Sequence, residues 1–64
     1  MSRDTLIRTN DGVEFRLSEV EKIECNKTNC KVIFKDTEKS TCAVGLSEAE
    51  YYNKHYNIRI ELTL

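Results

Sequence analysis

The chain has 64 residues, ten of them basic and eleven acidic, for a formal net charge of −1. So short a chain makes one domain, residues 1–64, and buries only about 60% of the surface its unfolded form exposes, so its core gains from a disulfide, a metal or association. The balanced charge excludes a polycationic nucleic-acid binder or an acidic tail, and no apolar run approaches the ~20 residues that span a bilayer.

The opening "MSRDTLIRTNDG" is charged from Arg3 onward and lacks the apolar run of a signal peptide. The expected location is the cytoplasm, where thiols stay reduced and the sequon at Asn26–Thr28 meets no glycosylation machinery. The first element is a hairpin, "LIRTNDGVEFRL". Asn10-Asp11-Gly12 suits a three-residue loop with Gly12 in the left-handed region. That loop pairs Ile7 with Phe15 and Arg8 with Glu14, and gives one apolar face of Ile7, Val13, Phe15 and Leu17.

"VEKIEC" and "CKVIFKD" form a second hairpin around a four-residue loop. Cys25 then faces Cys30, Ile23 faces Val32 and Glu24 faces Lys31. Ile23, Cys25, Cys30, Val32 and Phe34 share one side by the two-residue period of a strand. Ile33 points the other way. "KSTCAVG" continues as a short strand, in the register that sets Cys42 opposite Phe34.

A helix is expected over about 47–56. Ser47-x-x-Glu50 has the spacing of a capping box, with Leu46 and Tyr51 placed as a hydrophobic staple. Ala49, Tyr52 and Tyr56 recur at helical spacing and should face the sheet, and Asn57 suits a left-handed stop. The last strand, about 58–63, alternates Ile58, Ile60, Leu62 and Leu64 with Arg59, Glu61 and Thr63. The fold class is α+β, mostly β: a small antiparallel meander of about five short strands, one capped helix and a C-terminal strand returning to the sheet.

Three cysteines and one histidine could suggest metal or redox chemistry. Zinc sites use two close ligand pairs, and only Cys25–Cys30 is close here. Opposite Phe34, Cys42 would lie about 13 Å along the sheet from Cys30, too far to share an ion. The cysteines are therefore expected to be small buried hydrophobes without a metal or cofactor. A Cys25–Cys30 disulfide suits facing strand positions, but the compartment and the short loop count against it. His55 has no fixed base, acid or orienting partner, and so small a chain seldom encloses a substrate pocket, so no enzyme activity is expected.

"VEKIEC…CKVIFKD…STCAVGLSEAE" resembles the first half of LytTR-type DNA-binding domains, a likeness that implies a strand-and-helix order and carries over no DNA-contacting residue. The element order is also similar to that of short phage inhibitors of uracil-DNA glycosylase, which implies a small inhibitor without naming its target.

Two surface features remain. Tyr51, Tyr52, His55 and Tyr56 place more aromatic surface on the helix than one face can bury, and tyrosine suits interfaces. The last strand, if at a sheet edge, is guarded only by Arg59 and Glu61 and invites another chain. The expectation is a non-enzymatic interaction module, homodimeric and of a kind phages or mobile elements encode. It would bind or occlude a protein partner through Tyr51, Tyr52, His55, Tyr56, Arg59 and Glu61. The alternative is a nucleic-acid-binding regulator using Arg3, Arg8, Arg16, Lys31, Lys35 and Lys39.

Overall fold

A computed structural model describes residues 4–63. The first hairpin pairs β1 (Leu6–Arg8) with β2 (Glu14–Arg16), Ile7 opposite Phe15 and Arg8 opposite Glu14, as the loop spacing predicts. Gly12 holds the left-handed turn at φ 89°, and the Thr9 amide donates to the Val13 carbonyl at 2.8 Å to close the loop. Ile7 and Phe15 enter the core, with Leu17 packed against it. Val13 does not join them: at the loop end of the hairpin it is 46% exposed.

A 3-10 turn (Leu17–Glu19) breaks the run into the next strand. The Glu19 carboxylate accepts from the Arg16 amide at 2.9 Å and binds Lys39 at 3.1 Å, while Asp4 accepts from the Ser18 amide and hydroxyl. This turn separates the hairpin from the main sheet. The expected single meander is therefore two sheets, a β1–β2 ribbon and a four-stranded sheet.

The second hairpin pairs β3 (Val20–Cys25) with β4 (Asn29–Phe34) in the predicted register. An extra residue between Val20 and Lys22 makes a bulge in β3, which shifts the alternation and lets both Val20 and Ile23 point inward. β5 (Cys42–Gly45) adds to β4 with Cys42 opposite Val32, two residues from the expected position opposite Phe34. The last strand, β6 (Ile60–Leu62), lies beside β3 and parallel to it, so the sheet order is β5-β4-β3-β6 and not fully antiparallel. Within the apolar alternation of the last strand, Ile58 is buried and Ile60 half-buried, but Leu62 is exposed, and Leu64 lies outside the described residues.

The helix α1 (Leu46–Tyr56) is capped two residues earlier than the capping-box motif predicts, at Gly45 in place of Ser47. Gly45 is its N-cap and supplies no side chain, so the Ser47–Glu50 box does not form. Leu46 and Tyr51 are both exposed and make no buried staple. With Gly45 as cap, the staple positions are Val44 and Ala49, and both sit in the core. Asn57 ends the helix at φ 57°, the left-handed stop its type suits.

One core holds these pieces together: Ile7 and Phe15 from the ribbon, Ile23, Cys25, Cys30, Val32, Phe34 and Val44 from the sheet, and Ala49 and Tyr52 from the helix. Phe15 meets Phe34 edge-on at 5.3 Å and Tyr52 at 6.4 Å. Cys25 and Cys30 are joined by a disulfide within this core, contrary to the expectation of free buried thiols. Facing positions of a tight hairpin bring the two sulfurs within bonding distance. Cys42 is free and half-buried. Among the described residues no helix is long and apolar enough to cross a membrane.

Candidate functional site

The residues singled out in the sequence fall on two separate surfaces. The four helix residues lie along the outside and underside of α1. Tyr51 is 51% exposed and stacks on His55, ring centroids 4.1 Å apart at 29°. One helical turn puts positions i and i+4 on the same face, which is why these two rings meet. Tyr56 is half-buried and packs on both Tyr51 and Tyr52, at 6.2 and 6.0 Å.

Tyr52 belongs to the interior. It is 3% exposed, and its hydroxyl donates to the Glu48 carboxylate one turn earlier. The same carboxylate accepts the Asn10 amide of the ribbon loop at 2.9 Å, and the Arg8 carbonyl lies 3.5 Å from the hydroxyl. Burial, then the Glu48 carboxylate, pushes the Tyr52 phenol well above its ordinary value. Tyr52 and Glu48 therefore fasten the helix to the ribbon. Glu48 is the residue that sequence reasoning missed, because its partner Asn10 is 38 positions away.

Beside this junction a shallow cleft of about 300 Å³ is lined by Arg8, Asn10, Ser47, Glu48, Tyr51 and Tyr52. It has no nucleophile paired with a base, and no cluster of three or more metal-ligating side chains occurs among the described residues.

Arg59 and Glu61 lie on the opposite face of the sheet, away from the tyrosines. Core residues Ile23 and Cys25 alternate with Lys22 and Glu24 along β3, so the latter point to the open side. There Lys22 reaches Glu61 at 2.8 Å and Glu24 at 3.3 Å, Arg59 reaches Glu61 at 3.0 Å, and Lys31 stands 4.0 Å from Glu24. The register places Glu24 directly beside Glu61, and Lys22 between them offsets that repulsion. The hydrogen bond from Lys22 holds the Glu61 carboxyl below its ordinary value, and the same bond raises the Lys22 ammonium.

β6 is an edge strand. Ile23 donates its amide to the Arg59 carbonyl and Thr63 donates to the Cys25 carbonyl, each at 2.8 Å. Backbone groups at positions 59, 61 and 63 thus turn toward β3. Those of Ile60 and Leu62 turn outward by the same alternation, and no described strand pairs with them. Leu62 is 77% exposed, the highest value among the large apolar side chains described.

The chain matches no family model, no curated protein and no solved structure. Neither likeness drawn from the strand pattern gains support, and the functional reading rests on the molecule's own surfaces.

Proposed function

We propose that the protein is a small non-enzymatic interaction module of the cytosol that engages a partner protein along the outer edge of β6. The observation that carries this reading is the open edge itself. Two residues present unpaired backbone groups outward, and one of them, Leu62, adds a large exposed apolar side chain. Edge strands usually carry charges that deter pairing. Here the Glu61 carboxylate is drawn onto the open face by Lys22 and Arg59, which leaves the edge lightly defended. The stacked, solvent-facing Tyr51–His55 pair offers a second contact surface.

A nucleic-acid-binding role is less well supported. Of the cations named for that role, Lys31 and Lys39 each have a carboxylate within 4.0 Å, so their charge is partly compensated.

The test is capture of proteins from lysate on immobilised wild type and on Leu62→Pro, with and without nuclease. Position 62 turns its N–H outward, so proline removes an edge donor and spares the bonds to β3. A protein held by wild type, lost with Leu62→Pro and unaffected by nuclease supports the reading. Capture that survives Leu62→Pro, or that vanishes with nuclease, overturns it. The compartment has its own readout. Alkylation at harvest should trap three free thiols in a reducing cytosol, whereas one free thiol places the protein in an oxidising compartment.

A further inference from the structure

We infer that the occupant of the β6 edge is a second copy of this chain, paired antiparallel about a two-fold axis at Glu61. This rests on the reading of β6 as the interaction edge and goes beyond it by naming the partner and the register. The outward backbone groups are those of Ile60 and Leu62. In an antiparallel pair, residues that exchange both backbone hydrogen bonds alternate with residues that exchange none. Setting Ile60 against Leu62 of the second copy satisfies every outward group of both strands, with four hydrogen bonds. Moving the register by two residues strands one outward position beyond the end of β6, and moving it by one sets outward groups against inward ones.

The side chains fit the same register. The axis runs perpendicular to the sheet, so both core sides remain on one face. Leu62 of each copy then packs beside the half-buried Ile60 of the other, which covers the side chain now left exposed. On the open face Glu61 meets its own equivalent, an arrangement that would repel if the carboxylates stood alone. Each instead arrives with Lys22 at 2.8 Å and Arg59 at 3.0 Å. Counting Glu24, which shares Lys22, four carboxylates sit among four cations and the patch is balanced, and Arg59 lies diagonally across from Glu61 of the second copy, within reach of a long side chain. The charge pattern is self-complementary, as an isologous interface requires. With two short strands in contact the dimer is weak, forming in the micromolar to millimolar range.

The register is tested by disulfide trapping in a Cys42→Ser background, which removes the free thiol. Glu61→Cys places a thiol on the axis, facing its equivalent, and should cross-link with itself under mild oxidation. Arg59→Cys and Thr63→Cys should not self-link, because each lies about 13 Å from its own equivalent, but a mixture of the two should give a mixed dimer. Leu62→Pro removes two of the four hydrogen bonds and should weaken self-association about tenfold to a hundredfold with the fold retained by circular dichroism. Self-linking of Arg59→Cys in place of Glu61→Cys overturns the register, and a monomer at every concentration overturns the dimer. Either failure leaves the lysate experiment free to succeed, so loss of the second copy and loss of the edge as an interaction site are distinguishable.

Discussion

Tyr52→Phe removes one oxygen from the junction between helix and ribbon and leaves the ring against Phe15. The lost bond runs from a buried hydroxyl to the Glu48 carboxylate. Net contributions of hydrogen bonds to charged groups are about 1.5–3 kcal/mol. Glu48 is half-buried and keeps the Asn10 amide, so the lower end applies, about 1.5 kcal/mol. In a domain of this size each kcal/mol moves the thermal midpoint by about 4–8 °C, which predicts a fall of about 6–12 °C. The pH dependence is specific. The Tyr52 phenol is raised from 10.0 by burial first and Glu48 second. Below that pH the folded and unfolded chains both hold the proton, and the bond contributes in full. As pH rises above it, the unfolded chain releases the proton while the folded chain keeps it, so stability declines by up to about 1.4 kcal/mol per pH unit. The advantage of wild type over Tyr52→Phe should thus be constant at neutral pH and shrink on the alkaline side. Urea denaturation of both proteins, followed by far-ultraviolet circular dichroism, measures it. A difference below about 0.5 kcal/mol that does not change with alkalinity would refute the bond from the Tyr52 hydroxyl to the Glu48 carboxylate.

Three further outcomes follow from the fold. Reducing the Cys25–Cys30 bond, which links positions five apart, should lower stability by about 2 kcal/mol on the loop-entropy relation, read as a lower guanidinium midpoint with reductant present. An unchanged midpoint would contradict the pairing. Gly12→Ala should cost about 1 kcal/mol through backbone conformation alone, since an added Cβ meets nothing within 4 Å at φ 89°. A neutral result in thermal melts would remove the left-handed turn. Glu61 is held below its ordinary 4.5 by Lys22, so its contribution is present above that pH and lost as pH falls through the folded value. Glu61→Gln should therefore show a shallower acid limb in a circular-dichroism pH titration, and an identical limb would count against the Lys22 pair.

Local rules made both hairpins legible. A three-residue loop ending in glycine and a four-residue loop between cysteines each define one register, and both registers are found. The C-terminal stop at Asn57 was equally readable, because few residues other than glycine adopt the left-handed conformation at low cost. The helix start was not. Ser47-x-x-Glu50 has the right spacing, but α1 begins at Leu46, and the adjacent Glu48 turns to Asn10 and Tyr52, contacts made only once the ribbon is docked. The division into two sheets also escaped the pattern, since the 3-10 turn at Leu17–Glu19 is built by Asp4, Arg16, Glu19 and Lys39 from three parts of the chain. Alternation in the last strand identified a half-buried strand but carries no information on its neighbour or direction. Its pairing with β3, parallel and at the edge, is what separates Arg59 and Glu61 from the tyrosines with which they were grouped.

The claim that the outer edge of β6 joins two copies is tested most directly by sedimentation equilibrium of wild type and Leu62→Pro over a concentration series. The wild-type mass should rise from 7.5 kDa toward twice that value, while Leu62→Pro, with an unchanged thermal midpoint, should need about tenfold to a hundredfold higher concentration for the same rise. A wild-type mass fixed at the monomer value, or a Leu62→Pro protein that still dimerises as wild type does, would contradict it.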